Sequence, residues 1–305
     1  MSRTVEEIGA KMDALGLWTA IAPYNWAVKP RGTAFPYFCT VLMGADGDPV
    51  KVRFLLLEGW QTLHDYVRTR IDRNFGFYSS PMEMPHLELV FRRDGACRLF
   101  RHDEGYLPQE ADARQRALAE KMLWEAFGVM MRVESDSQLP MRFSEERAIF
   151  ARVESADGTW ADSPLPIPDP RPYVEKVSFA TADIKRAKDL PIASGEALSV
   201  DFRMVQGVVT TDPRPRCVYA LVAVDPATGE RVLDCQATIT PGGGGLKGLW
   251  EAMPAQLLKA LIRRGRIPGE LRLRSGRVFR MLRPLGVELP FKLSLHDELP
   301  ELKEA

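Results

Sequence analysis

Alternating apolar and polar residues predict a β-hairpin in the C-terminal part of the chain. Cys217 to Val224 and Arg231 to Ile239 are two runs rich in β-branched and apolar residues, which favour strands. Asp225 to Gly229 lies between them, with a proline that pre-sets a turn and a glycine that tolerates positive φ. We therefore expect two antiparallel strands here.

The segments after this hairpin alternate between helix and strand patterns. Apolar residues recur at helical spacing after Pro254, where the helix is expected to begin, and Gly265 ends it. The pattern then predicts a strand over Glu270 to Arg274, a helix over Val278 to Leu285 and a last strand over Val287 to Leu293. The resulting order, ββαβαβ, is loosely that of a reduced ribonuclease H-like fold.

The sequence pattern of the N-terminal half predicts hairpins separated by helices. Strand-like runs occur in pairs, and each pair flanks a short turn that contains Gly, Asp or Pro. Segments with apolar residues at helical spacing lie between these pairs. The predicted order is a hairpin at 37–57, a helix from 58, a hairpin at 87–100, a helix at 108–127 and a hairpin from 147. Such an order indicates an α+β domain with a mainly antiparallel sheet.

Five prolines at every second position, from Pro164 to Pro172, predict a boundary between two domains. Proline excludes helix and removes backbone donors, so this stretch should be an extended, semi-rigid connector. We expect an N-terminal domain over 1–163, a connector over 164–173 and a C-terminal α/β domain over 174–305, in which 177–182 and 198–205 form the first strands. An edge-running loop inside one domain is the alternative.

The chain resembles proteins described only by domains of unknown function. The segments YALVAVDPATGERVLDCQ and IPGELRLRSGRVFRMLRPLGVEL resemble the C-terminal domain of a group of bacterial proteins. LLLEGWQTLHDYVRTRIDRNFGFYSSPMEMPHLEL and LWEAFGVMMRVES resemble the domain found beside it. The resemblance implies a pairing of two domains and carries no activity with it.

Composition indicates an ordinary globular protein of the cytoplasm. Of the 305 residues 45% are hydrophobic and 27% charged, and 41 basic residues balance 41 acidic ones, which gives no global field toward nucleic acid. The charged N-terminus does not resemble a signal peptide, and no apolar run is long enough to span a bilayer. The four cysteines have no paired spacing, so we expect free thiols and neither a zinc motif nor a cofactor.

The leading functional hypothesis rests on a local excess of basic residues. Between residues 242 and 285, ten lysines and arginines face only two glutamates. A non-catalytic interaction or accessory protein could use such a face to bind a protein or another anionic partner. The expected contacts are Lys247, Arg263, Arg264, Arg272 and Arg274. A face that is solvated or paired with acids is the alternative.

The rival hypothesis is a metal-assisted hydrolase in the N-terminal domain. His86 and Glu88 lie two residues apart on a predicted strand and share a face, and His64 lies on the preceding helix. If the helix packs over that strand, these three residues would form a site for a metal or for acid-base work. Histidines with purely structural hydrogen bonds are the alternative.

A ribonuclease H-like domain would need converging carboxylates for two-metal catalysis. The predicted later strand instead reads Leu271-Arg-Leu-Arg-Ser275, which is basic where an acid is required. We therefore expect the C-terminal domain to lack that catalytic set, because a fold alone confers no activity.

Overall fold

A computed structural model describes most of the chain as two compact units. The described residues are 4–71, 83–136, 139, 147–171, 176–210, 214–240 and 244–302. One unit comprises Met1–Tyr66, Met84–Asp103 and Pro108–Arg171, and the other Val67–Glu83, Glu104–Leu107 and Pro172–Ala305. In the first we find an α+β architecture and in the second an α/β architecture, which confirms the predicted fold class.

The N-terminal unit is built on an eight-stranded sheet in the order β6-β5-β4-β3-β2-β1-β7-β8. All neighbouring strands are antiparallel except β1 and β7, so the three predicted hairpins are confirmed as β2-β3, β4-β5 and β7-β8. The strands are β1 (Trp26–Lys29), β2 (Tyr37–Met43), β3 (Val50–Glu58), β4 (His86–Arg92), β5 (Cys97–His102), β6 (Gln109–Glu110), β7 (Ala148–Glu154) and β8 (Trp160–Pro166).

One face of this sheet carries the main core. The helices on this face are α1 (Val5–Leu15), α2 (Trp18–Ile21) and α4 (Ala113–Ser135). Another helix of this part of the chain, α3 (Gly59–Ile71), lies between α2 and α4 in the sequence. Thr4 and Glu7 close the predicted capping box of α1. Apolar residues of α1 and α4, such as Met12 and Met122, pack with alternate strand residues, such as Phe54 and Leu89. Burial of this continuous apolar face is what stabilises the unit.

The opposite face of the sheet is covered by α3. The ring of Trp60 lies 4.7 Å from that of Phe38, and the Thr40 hydroxyl donates a 3.1 Å hydrogen bond to the Tyr66 hydroxyl. Because side chains alternate along a strand, the residues between the core positions of β4 point to this face. His86 and Glu88 are two of these residues.

The C-terminal unit has a five-stranded sheet in the order β11-β10-β9-β12-β13. β9 and β11 are antiparallel to β10, whereas β12 is parallel to β9 and β13 is parallel to β12. The strands are β9 (Ile192–Val209), β10 (Arg216–Val224), β11 (Arg231–Ala237), β12 (Ile267–Leu273) and β13 (Lys292–Leu295). This arrangement agrees with the α/β class predicted for this part of the chain.

The helices of this unit are α5 (Thr181–Lys188), α6 (Gly245–Arg264) and α7 (Gly276–Glu288), and a 3₁₀ turn spans Pro300–Leu302. Trp250 of α6 meets Phe202 of β9 edge-on, with ring centroids 4.4 Å apart. Leu302 packs with Val222 and Val224 of β10. Within the described residues, no helix is long and apolar enough to cross a membrane.

Three predicted elements of this unit are present, but with bounds that differ from the prediction. The first helix begins at Gly245, and Pro254 lies inside it, because Leu246, Trp250 and Met253 extend its buried stripe upstream. The second continues through Gly286 to Glu288, which leaves β13 shorter than expected. A Cβ at Gly286 would lie 3.3 Å from the Leu293 side chain, so this glycine serves close packing and not helix termination.

The helix predicted at 108–127 in the N-terminal unit also begins later than expected. Pro108 precedes a short strand, β6, and α4 begins only at Ala113, where Asp112 and Gln115 form a capping box. Residues 177–182, predicted as a strand, contain no strand, and the helix α5 begins at Thr181. Local propensity failed here because a few apolar residues do not decide between strand and loop.

The proline-rich stretch begins inside the sheet. Pro164 and Pro166 belong to β8 and stand opposite Phe150 and Ala148 of β7. β8 is an edge strand with a neighbour on one side only. Edge strands tolerate proline, because the missing backbone N–H can lie on the side without a partner strand. Farther along, His64 and Gln61 of α3 bind the backbone of Pro168 and Arg171. The boundaries 1–163, 164–173 and 174–305 stay a prediction.

Candidate metal centre

The register of the β4-β5 hairpin brings two histidines and a glutamate together. His86 stands directly opposite His102, and Glu88 follows His86 by two residues on the same face. The intervening residue, Leu87, points to the core on the other face. The cluster therefore lies on the face that α3 covers, at the end of the hairpin far from its turn.

The three side chains form a buried polar cluster. The imidazole rings of His86 and His102 stack with centroids 4.1 Å apart and planes 10° apart. His102 Nε2 donates a 2.7 Å hydrogen bond to Glu88 Oε2, and Arg53 Nη1 of β3 donates one of 2.7 Å to Glu88 Oε1. His86 and His102 are 0% exposed and Glu88 1%. Polar groups at such depth require partners.

One nitrogen of this cluster lacks a partner. His86 Nδ1 lies 2.8 Å from the Met84 carbonyl oxygen, to which it donates a hydrogen bond. This bond fixes the neutral tautomer that leaves a lone pair on Nε2. Nε2 is buried and has no hydrogen-bond partner among the described residues. An unsatisfied buried polar atom costs about 1–3 kcal/mol, so its presence calls for an explanation.

Burial and neighbouring charges fix the protonation states of the cluster. Burial lowers the pKa of His86 to about 3, and the neighbouring His102 acts in the same direction, so the imidazole is neutral. Burial alone would raise the pKa of Glu88, but hydrogen bonds from His102 and Arg53 outweigh it, and the net pKa is lowered. The cluster thus presents a neutral imidazole beside a carboxylate anion.

These groups have the composition of a metal-binding site. One potential ligand atom from each of His86, Glu88 and His102 lies within 4.8 Å of the other two, and no second such group occurs in the described ranges. Two imidazoles and one carboxylate suit zinc and other divalent transition ions, and three protein ligands leave further positions open. The hydrogen bond from His86 to a backbone carbonyl is the usual outer-shell contact of a metal-binding histidine.

His64, the third residue of the predicted site, lies elsewhere. Its Nε2 binds the Pro168 carbonyl oxygen at 2.9 Å, and it lines an open cleft with Arg147 and Asp169. His102 takes its place in the cluster. In the observed register the hairpin folds about Asp94 and pairs residue 86 with residue 102, whereas the predicted turn at 92–95 would pair residue 86 with residue 101.

The predicted basic face is largely ion-paired with acids of its own unit. Arg264 binds Glu196 and Asp225, and its side chain is 8% exposed. The other pairs are Arg272 with Glu270, Arg274 with Asp201, and Lys247 with Glu251, while Arg263 is exposed. This pairing reduces the local positive charge on which the anionic-partner hypothesis depends. The five anion contacts stay a prediction.

Two carboxylates of the C-terminal sheet are paired with arginines. Arg274, just after β12, donates a 3.0 Å hydrogen bond to Asp201 of β9. Asp225, after β10, accepts a hydrogen bond from Arg264. Each carboxylate is therefore neutralised by an arginine instead of facing another acid.

The C-terminal part of the chain matches a known family model. A family model described as a domain of unknown function, DUF6930, matches residues 183–305. The matched region begins within α5 and contains the whole five-stranded sheet, so this part of the chain is similar to that family. No curated protein matches the chain. The matched family carries no known activity.

Proposed function

We propose that the N-terminal unit binds one divalent transition-metal ion through His86, Glu88 and His102. The observation that carries the proposal is the buried lone pair of His86 Nε2, which has no partner and lies in a cluster with a carboxylate and a second imidazole. A bound ion would satisfy this nitrogen. For His102 to bind the ion through Nε2, that nitrogen would have to give up the proton that it donates to Glu88.

Burial supports a metal-holding role over metal-assisted hydrolysis. A hydrolytic site needs an open position that the substrate and water can reach. The three candidate ligands are at most 1% exposed. An ion here would tie β4 to β5 from the inside. We infer a non-catalytic protein whose N-terminal unit the ion stabilises.

A metal titration of ligand variants tests this proposal. Purified protein is stripped with a chelator and titrated with Co²⁺, whose visible spectrum reports its ligands, and with Zn²⁺ by calorimetry. We expect one ion per chain in the wild type. His86→Ala should weaken binding by at least about 100-fold, since loss of even an outer-shell partner costs about 10–100-fold. Glu88→Gln, which preserves shape, should weaken it as well.

Two other histidines provide matched controls. His64 binds the Pro168 carbonyl oxygen and His296 binds Ser294, so neither belongs to the cluster. His64→Ala and His296→Ala should bind metal as the wild type does. Equal metal binding by His86→Ala and wild type, or a loss in His64→Ala alone, would contradict the assignment of ligands.

A further inference from the structure

Arg53 is the one hydrogen-bonding partner of the cluster that reaches solvent within the described residues. Its side chain is 32% exposed, whereas that of Glu88, with which it pairs, is 2% exposed. The other described partner is the Met84 carbonyl, which belongs to a fully buried residue. Among the described partners, Arg53 is therefore the one that connects the cluster to solvent, at Glu88 Oε1.

The positive charge of Arg53 affects how a cation reaches Glu88. Its guanidinium neutralises the buried carboxylate of Glu88 at 2.7 Å. A divalent cation that arrives at Glu88 meets this positive charge at close range, where repulsion in a low dielectric is strong. The exposed part of the arginine side chain gives the guanidinium a place in water to move to.

We propose that Arg53 is the gate of this site. The guanidinium pairs with the outer oxygen of Glu88 both before and after an ion binds, and it must swing into solvent each time an ion enters or leaves. Arg53 thus sets the rate of metal exchange more than the affinity. This inference rests on the proposed metal binding, and Arg53 is a positioning residue and not a ligand.

The rates of zinc capture and release test the gate. Zinc release from the loaded full-length protein to a coloured chelator is followed by stopped flow, and capture is followed by the reverse experiment. In Arg53→Ala we expect both rate constants to rise about tenfold, the factor that corresponds to about 1.4 kcal/mol. The dissociation constant from competition titration should change by a smaller factor than either rate.

Two further variants keep the result interpretable. Arg98→Ala removes another arginine-carboxylate pair of the same sheet, with Glu110, and should exchange zinc at the wild-type rate. Arg53→Gln keeps a hydrogen-bond donor without the charge and replaces Arg53→Ala if that variant does not fold. It should also accelerate exchange.

The outcomes separate the gate from the site. Wild-type exchange rates in an Arg53 variant that binds zinc would overturn the gate and leave the metal site standing. A wild-type protein that binds no zinc at all would overturn the site and the gate with it.

Discussion

Replacing Arg277 with alanine should destabilise the C-terminal unit by about 3–5 kcal/mol, because the buried negative charge of Glu83 would lose a compensating positive charge. Arg277 lies in the first turn of α7 and is 3% exposed, and its guanidinium carbon lies 3.3 Å from the centroid of the Trp250 ring. Burial lowers the pKa of Arg277 to about 10, while Glu83, itself 3% exposed, opposes this shift through its negative charge. The alanine variant removes both the ring contact and this compensating charge.

Urea-induced unfolding followed by circular dichroism measures the loss. Arg283→Ala, at an exposed position of the same helix, should change the free energy of unfolding by only about 0.5 kcal/mol. Adding Glu83→Gln to Arg277→Ala should restore part of the lost stability, because no buried carboxylate charge is then left facing an apolar site. A cost below about 1 kcal/mol for Arg277→Ala would contradict a buried charge pair.

Replacing Phe54 with alanine should cost the N-terminal unit about 3–5 kcal/mol, as is usual for a fully buried phenylalanine. Phe54 is 0% exposed and lies at the centre of the main core. Its ring is 5.9 Å from that of Trp26 and 6.4 Å from that of Trp18, so the variant loses two aromatic contacts and leaves a cavity.

Thermal unfolding by calorimetry measures this effect. Phe35 is 37% exposed and provides the matched aromatic control, for which Phe35→Ala should cost about 1 kcal/mol or less. A similar cost for the two variants would mean that Phe54 does not lie in a closely packed core.

The hairpins were predictable because each combines a turn with strict alternation. The turn at Arg92 to Gly95 places β4 beside β5, and the alternation of His86 and Glu88 with Leu87 and Leu89 determines which residues share a face. Two of the three cluster residues followed from this pattern. His102 required the observed register of the hairpin, which differs by one residue from that of the predicted turn at 92–95.

The packing of helices on sheets was not predictable from the sequence. Whether α3 brings His64 over β4 depends on the angle and position of the helix, and the observed contacts of α3 in this region are Trp60 on Phe38 and Tyr66 on Thr40. The basic residues illustrate the same limit. Arg264 and Arg274 pair with Asp225 and Asp201, which are 39 and 73 residues away in the chain. Such distant contacts leave no local sequence signal.

The most direct test of the metal site is a native mass spectrum of full-length protein after incubation with one equivalent of Zn²⁺ and buffer exchange. We expect one added zinc per wild-type chain and none for His86→Ala, with His296→Ala like the wild type. An apo mass for the wild type, or equal zinc retention by His86→Ala, would contradict it and leave the cluster a purely structural set of hydrogen bonds.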